Sequence, residues 1–189
     1  MRVIAGKFRS RPLRSLRGLD LRPTADRLRE TLFNVLGAGN PEAFEGKVWF
    51  DLCAGTGAVG IEALSRGATK VYFVESSSAS ASLIRQNLDS LAVAEGFEVL
   101  KEDVIRALPK LEARNVAADF IFLDPPYRME KVYGQVLQLL SKSTLVTRET
   151  VVVAEHDKRF DLGDSFAPLL RYRKLEQGDA VLTFYRLAQ

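Results

Sequence analysis

Cysteine and histidine are each present only once in this 189-residue chain, as Cys53 and His156. A lone cysteine closes no internal disulfide, and the pair makes no cluster with zinc-site spacing, so neither a metal nor a Cys/His catalytic couple is expected. Long apolar runs are missing too. Stretches such as Val151 to Ala154 and Ile121 to Leu123 fall far short of the ~20 residues that span a bilayer. The first residues also lack the apolar core of a secretory signal, so a cytoplasmic chain without membrane association is expected. Nothing in the composition marks disorder. With 47% hydrophobic residues, the chain can bury one full core, and a single domain over residues 1–189 is expected.

Net charge is small overall, at +3, but it is not evenly spread. Residues 1–30 carry nine arginines or lysines against Asp20, Asp26 and Glu30, which leaves +6 there and −3 on the remainder. Eight of the nine are arginine, whose planar fork binds phosphate bidentately and stacks on bases. Residues 1–22 therefore read as a basic arm for nucleic acid. Candidate contacts are Arg9, Arg11, Arg14, Arg22 and Arg27. A solvated tail is the alternative, but Val3, Ile4, Phe8, Leu13 and Leu16 are interspersed and let part of the segment pack.

From about residue 47, short β-branched runs alternate with helical patterns, as in a parallel sheet with crossover helices. The strands expected are 47–52, 70–75, 97–100, 119–124 and 150–155. Helices are expected over 58–66, ending at Gly67, and over 77–91. Two further runs, 171–175 and 180–187, join through Gln177-Gly178-Asp179 and predict an antiparallel hairpin at the sheet edge. Ahead of the sheet, Ala25, Leu28, Leu32, Val35 and Leu36 share one helical face, with Thr24 as cap and Gly37 as stop. Arg29 falls with Asp26, Arg27, Glu30 and Asn34 on the rest of that helix, which reads as surface. The expected class is α/β, a mostly parallel seven-stranded sheet with an antiparallel C-terminal hairpin.

Asp51-Leu-Cys-Ala54-Gly55-Thr56-Gly57-Ala-Val-Gly60 follows the first strand and opens a helix, the context a glycine-rich nucleotide loop requires. Glycines at 55 and 57 allow a tight turn near a ligand, and Gly60 allows close helix–strand packing. Glu75 ends the second strand, where a carboxylate can accept from two ribose hydroxyls. These features suit NAD and S-adenosylmethionine alike. Asp51 favours the latter, because an acid beside the loop attracts a cationic methionine end and repels a pyrophosphate. Asp103, followed by Val104, can face an adenine amino group or be a surface acid beside Glu102. Cys53 lies inside the loop and reads as a small filler; His156 reads as structural or superficial.

Asp124-Pro125-Pro126-Tyr127 closes the fourth strand on the same sheet edge. Two prolines cannot continue a ladder, so the Pro125 carbonyl and the Asp124 carboxylate are left to accept hydrogen bonds from an amino group. A conjugated amino nitrogen is a poor nucleophile. Two acceptors on its hydrogens draw it toward a tetrahedral shape and localise its lone pair, while Tyr127 stacks on the base.

The glycine loop with Glu62-Ala-Leu-Ser-Arg-Gly-Ala68, the Asp-Pro-Pro-Tyr run and the upstream Arg22-Pro-Thr-Ala-Asp-Arg-Leu-Arg-Glu-Thr-Leu-Phe-Asn-Val-Leu36 together resemble the RsmD family. The likeness spans nearly the whole chain. It implies a Rossmann-like class I methyltransferase and S-adenosyl-L-methionine as cofactor. It further implies a guanine amino nitrogen of 16S rRNA as target, within an assembling small ribosomal subunit, with the chain acting as a monomer. Asp-Pro-Pro-Tyr alone is also close to motifs of adenine-N6 and protein-amide methyltransferases, and a non-catalytic rRNA-binding assembly factor is a further reading. One departure is visible: Ser77 stands two residues after Glu75, where the family commonly has Asp.

Overall fold

The computed structural model describes residues 1–15, 23–126 and 129–188. Arg22 and Tyr127, two of the expected contact residues, lie outside them. After α1 (Pro23–Gly37), four βα steps and a fifth strand run β1 (Val48–Leu52), α2 (Ala58–Ser65), β2 (Lys70–Val74), α3 (Ser78–Ser90), β3 (Phe97–Leu100), α4 (Val104–Glu112), β4 (Ala118–Leu123), α5 (Glu130–Leu140) and β5 (Val146–Asp157). The chain then closes with β6 (Ser165–Phe166), β7 (Leu169–Gln177) and β8 (Ala180–Leu187). The sheet order is β3-β2-β1-β4-β5-β8-β7-β6. Strands β1 to β5 are parallel, and β8 enters antiparallel beside β5. The order reverses between β1 and β4, the place where doubly wound sheets open a crevice at their carboxyl edge.

The expected strands and hairpin are present, with two corrections. The sheet has eight strands, not seven: β6 pairs with β7 through only two residues, too few to leave a period in the sequence. Helix α1 begins at Pro23, one residue before the expected Thr24 cap, as proline at a first helical position allows.

Strand side chains alternate between two core layers. Trp49, Phe120, Phe122, Val151 and Val153 face α1, α2 and α3. Phe50, Ile121, Val152 and Ala154 face α4 and α5. Helix α1 docks through Phe33, stacked on Trp49 at 5.1 Å between centroids, and through the buried Leu28 and Leu32. Each such side chain contributes about 1.5–3 kcal/mol, so α1 is a fixed wall over the sheet. Arg29 is not a surface residue; it is 5% exposed. Its guanidinium pairs with Asp26 at 3.0 Å and donates to the Arg2 carbonyl at 2.6 Å. Helical periodicity could not foresee this, because the burying surface is the N-terminal segment and not the sheet.

That segment is folded back on itself and is not an extended arm over its described part. Val3 and Ser10–Arg11 exchange backbone hydrogen bonds of 3.0 and 2.9 Å, and Leu13 donates to Met1 at 3.0 Å. Val3 and Leu13 are buried. Glu62, fully buried in α2, anchors the turn by accepting from the Ile4 and Ala5 amides at 2.7 and 2.9 Å. Gly6 is required here, since a Cβ would meet the Ser65 carbonyl oxygen at 1.8 Å.

Candidate active site

The glycine loop turns because Gly55 and Gly57 hold φ of +56° and +76°, values that strain other residues. A Cβ on Gly55 would meet nothing within 4 Å, so the backbone there borders open space. Gly60 packs α2 on β2: a Cβ would lie 2.3 Å from Phe73. Glu75 spans the loop and the following turn, accepting from the Gly55 and Ser77 amides at 2.8 Å each. Each carboxylate oxygen keeps a lone pair for a ligand. Ser77, the departure from the family pattern, caps α3 by accepting from the Ser80 amide at 3.3 Å. Asp103 caps α4 by accepting from Ile105 at 2.9 Å, so it is an exposed acid with a structural duty as well as a place on the cavity wall.

A cavity of about 840 Å³ runs along the carboxyl edge of the sheet. Of the expected cofactor residues, Asp51, Ala54, Gly55, Thr56, Glu75, Asp103 and Val104 line it. Gly57 does not; it sits buried behind the loop against Ile84 and Phe73, setting backbone conformation. Asp124, Pro125 and Pro126 line the same cavity, so the structure joins the two motifs that the sequence placed on one edge.

The cavity is acidic. Asp51, Glu75, Glu102, Asp103, Asp124 and Glu155 face it, against Arg29 as the only arginine or lysine among the described lining residues. Such a field attracts a cation and repels an anionic pyrophosphate, which removes the support for NAD. Asp51 is buried and donates nothing; it accepts from Gly60 at 2.8 Å. Burial pushes its carboxyl up to about 7, Glu75 adding to the rise against the Gly60 amide. Burial likewise raises Asp124 well above the usual carboxylate range, with the charges of Glu155 and Asp51 adding to it. Both acids are thus held in an environment that a positive ligand relieves.

Tyr133 was not legible as a site residue. Its hydroxyl lies 2.7 Å from the Glu155 carbonyl and 3.1 Å from the Pro125 carbonyl, tying the ends of β4 and β5 together. The Pro125 oxygen, expected from sequence to be free, therefore has a protein contact, and a carbonyl oxygen has a second lone pair for a ligand. Cys53 also lines the cavity. Burial and four surrounding carboxylates push its thiol up, which keeps it protonated and unsuited to nucleophilic attack. His156 is structural: it is fully buried, with Nε2 2.8 Å from the Thr183 hydroxyl.

The N-terminal hairpin borders the cavity. Met1 lines it, with Sδ 3.8 Å from the Thr56 hydroxyl. Asn87 of α3 bonds both the Arg14 backbone and the Thr56 carbonyl, at 2.8 and 3.1 Å. Arg9, Arg11, Arg14 and Arg27 are exposed. Arg11 reaches the Ser90 carbonyl at 2.9 Å.

Residues 1–186 match the model of the family described as conserved hypothetical protein 95. YlbH of Bacillus subtilis (strain 168), an rRNA methyltransferase by name, is 34% identical over 186 residues, covering 98% of each chain. Ribosomal RNA small subunit methyltransferase D of Haemophilus influenzae is 35% identical over 84% of this chain and 79% of that one. Among solved structures, the methyltransferase yhhF of Escherichia coli superposes with a TM-score of 0.81 at 27% identity, covering 100% of this chain and 99% of the other. Loop, acidic cavity, strand-end Asp-Pro-Pro and whole-length similarity agree: this chain belongs to the RsmD family of S-adenosylmethionine-dependent rRNA methyltransferases.

Proposed function

We propose that the chain methylates the exocyclic N2 amino group of a guanine in 16S rRNA, within an assembling small ribosomal subunit. The observation that carries this reading is the placement of the Asp124 carboxylate and the Pro125 carbonyl on the cavity that the glycine loop also lines. We assign Asp51 to the methionine end of S-adenosylmethionine, Glu75 to its ribose, and Asp103 and Val104 to its adenine. When bound, the cofactor supplies a methyl group on a cationic sulfur. The chain supplies position and charge. Asp124 and Pro125 accept the two amino hydrogens, so the nitrogen lone pair turns toward the methyl carbon. As the nitrogen–carbon bond would form, the methyl–sulfur bond would break with its electron pair left on a neutral thioether, and the nitrogen, now cationic, would have to lose one hydrogen. The positive charge of the bound cofactor favours the ionised form of Asp124, whose carboxyl is raised when the site is empty, and that carboxylate takes the proton. Tyr127 is assigned to stacking on the base.

The test is transfer of tritiated methyl from S-adenosylmethionine to small-subunit particles or rRNA from cells lacking this gene, followed by nucleoside analysis. Label in N2-methylguanosine is the expected result. Label in methyladenosine or in protein keeps the chemistry and overturns the base, and cofactor binding without any transfer favours an assembly factor.

Arg9, Arg11 and Arg14 are exposed on the N-terminal hairpin, whose first residue, Met1, borders this cavity, and we assign them, with Arg22 and Arg27, to rRNA phosphates. Replacing Arg9, Arg11 and Arg14 together by glutamine should weaken binding and reduce the slope of log K against log salt by about 2 to 3. An unchanged slope in a filter-binding titration removes these arginines from the interface.

A further inference from the structure

We propose that Glu155 determines the choice of base: its carboxylate accepts the N1 hydrogen of the target guanine while Asp124 and Pro125 hold the hydrogens of N2. The inference rests on the guanine-N2 reading above and adds the residue that distinguishes guanine from adenine.

The alternation of the strands places the group. Phe120 and Phe122 of β4 and Val151 and Val153 of β5 face the α1 layer. Asp124 and Glu155 each follow two residues later and so project to that face. Leu123 and Ala154 are the last registered pair, which makes Asp124, just past β4, and Glu155, near the end of β5, neighbours whose backbones lie about 4.8 Å apart by strand spacing. Both line the cavity together with Leu28 and Leu32 of α1 and Leu182 of β8. These three leucines form apolar walls suited to a flat ring, on the α1 side of the cavity, away from the Glu75 and Asp103 end that suits the cofactor. The Glu155 backbone is held there by the Tyr133 hydroxyl.

Among the described residues, the polar groups that the ends of β4 and β5 bring to this subsite are two carboxyl groups and a carbonyl, and ionised carboxylates only accept. An extruded base is read on its Watson–Crick edge. Guanine offers N1–H beside the N2 amino group, a row of donors matching a row of acceptors. Adenine offers its amino group beside N1, whose lone pair would face a carboxylate. The crowding of Asp124 by the Glu155 charge is a cost in the empty site that the hydrogens of guanine offset and those of adenine offset only in part.

The test uses native protein and Glu155→Gln on reconstituted particles whose rRNA carries either guanine or 2-aminopurine at the nucleotide the native enzyme methylates. 2-Aminopurine retains the 2-amino group but has no hydrogen on N1. Native protein should prefer guanine by about 10- to 100-fold in kcat/KM. Glu155→Gln should lose a similar factor on guanine and nearly abolish the preference, because its amide N–H can serve the bare N1. Cofactor affinity measured by calorimetry should be unchanged, showing that the fold is intact. Native rates on guanine in the variant, or an equal loss on both bases, would overturn the role. Label on adenine with the native protein would instead overturn the guanine reading itself, a result separable from either.

Discussion

Asp124→Ala is expected to abolish methyl transfer, lowering the single-turnover rate by roughly 10³-fold or more, while S-adenosylmethionine still binds with near-native affinity. The separation follows from position: Asp124 stands at the end of β4 between the cofactor end of the cavity and the apolar slot under α1, and the glycine loop and Glu75 are held by their own hydrogen bonds. Unchanged turnover would remove Asp124 from the reaction centre. The isosteric Asp124→Asn tests the electrostatics from the other side. Because burial and neighbouring charge raise this carboxyl, the folded state holds a proton that the unfolded chain gives up in the ordinary carboxylate range. Native stability therefore falls as pH rises from that range through the raised folded value. Asparagine lacks this loss, so in the absence of cofactor the variant should melt above the native protein at pH 8, with the gap narrowing toward pH 4. A lower melting temperature at pH 8 would contradict the assigned strain. A site that is destabilising when empty and catalytic when filled is a common trade between stability and activity.

Glu62→Ala is expected to be the most destabilising single change outside the apolar core, by roughly 3–5 kcal/mol. The side chain is fully buried and meets Arg66 at 2.8 Å, the Ile4 and Ala5 amides, and Arg29 at 3.9 Å. Removing it leaves two guanidinium groups and two amides facing a void. Urea unfolding measures the loss, and hydrogen exchange should show protection disappearing first at residues 3–5. Because Met1 borders Thr56 in the cavity, cofactor affinity should weaken along with the hairpin. A loss of only about 1 kcal/mol, the scale of a surface ion pair, would show that the segment is not clamped by this residue.

Glu62 belongs to the run that carries the family resemblance, but its role as the clamp of the N-terminal segment is not legible there. It stands in Ala-Val-Gly-Ile-Glu-Ala-Leu-Ser, an otherwise apolar helix that is buried almost throughout, and a lone acid in such a run is itself a sign of a buried partner. Its partners, however, are backbone amides 57 and 58 residues away, and no spacing rule reaches them. Arg29 escaped for the same reason. Glu155 could have been noticed, since a carboxylate at the carboxyl end of a parallel strand shares an edge with the glycine loop, but its proximity to Asp124 depends on β5 pairing beside β4 in a particular register.

The sequence by itself determined the parallel sheet, the positions of its strands and helices, the hairpin that closes it, and the two motifs that meet at its carboxyl edge. Those are local properties: alternation, turn residues and glycine-specific dihedrals act within a few residues, and the right-handed crossover rule then brings like strand ends together. Only the tertiary structure decided that the basic N-terminal segment folds back onto α2, that α1 walls the cavity above β4 and β5, and that, among the described residues, six carboxyl groups share that cavity with one arginine. Those arrangements depend on which surfaces bury one another across the whole chain, and burial is what turns Asp51 and Asp124 from ordinary acids into groups that favour a positive ligand.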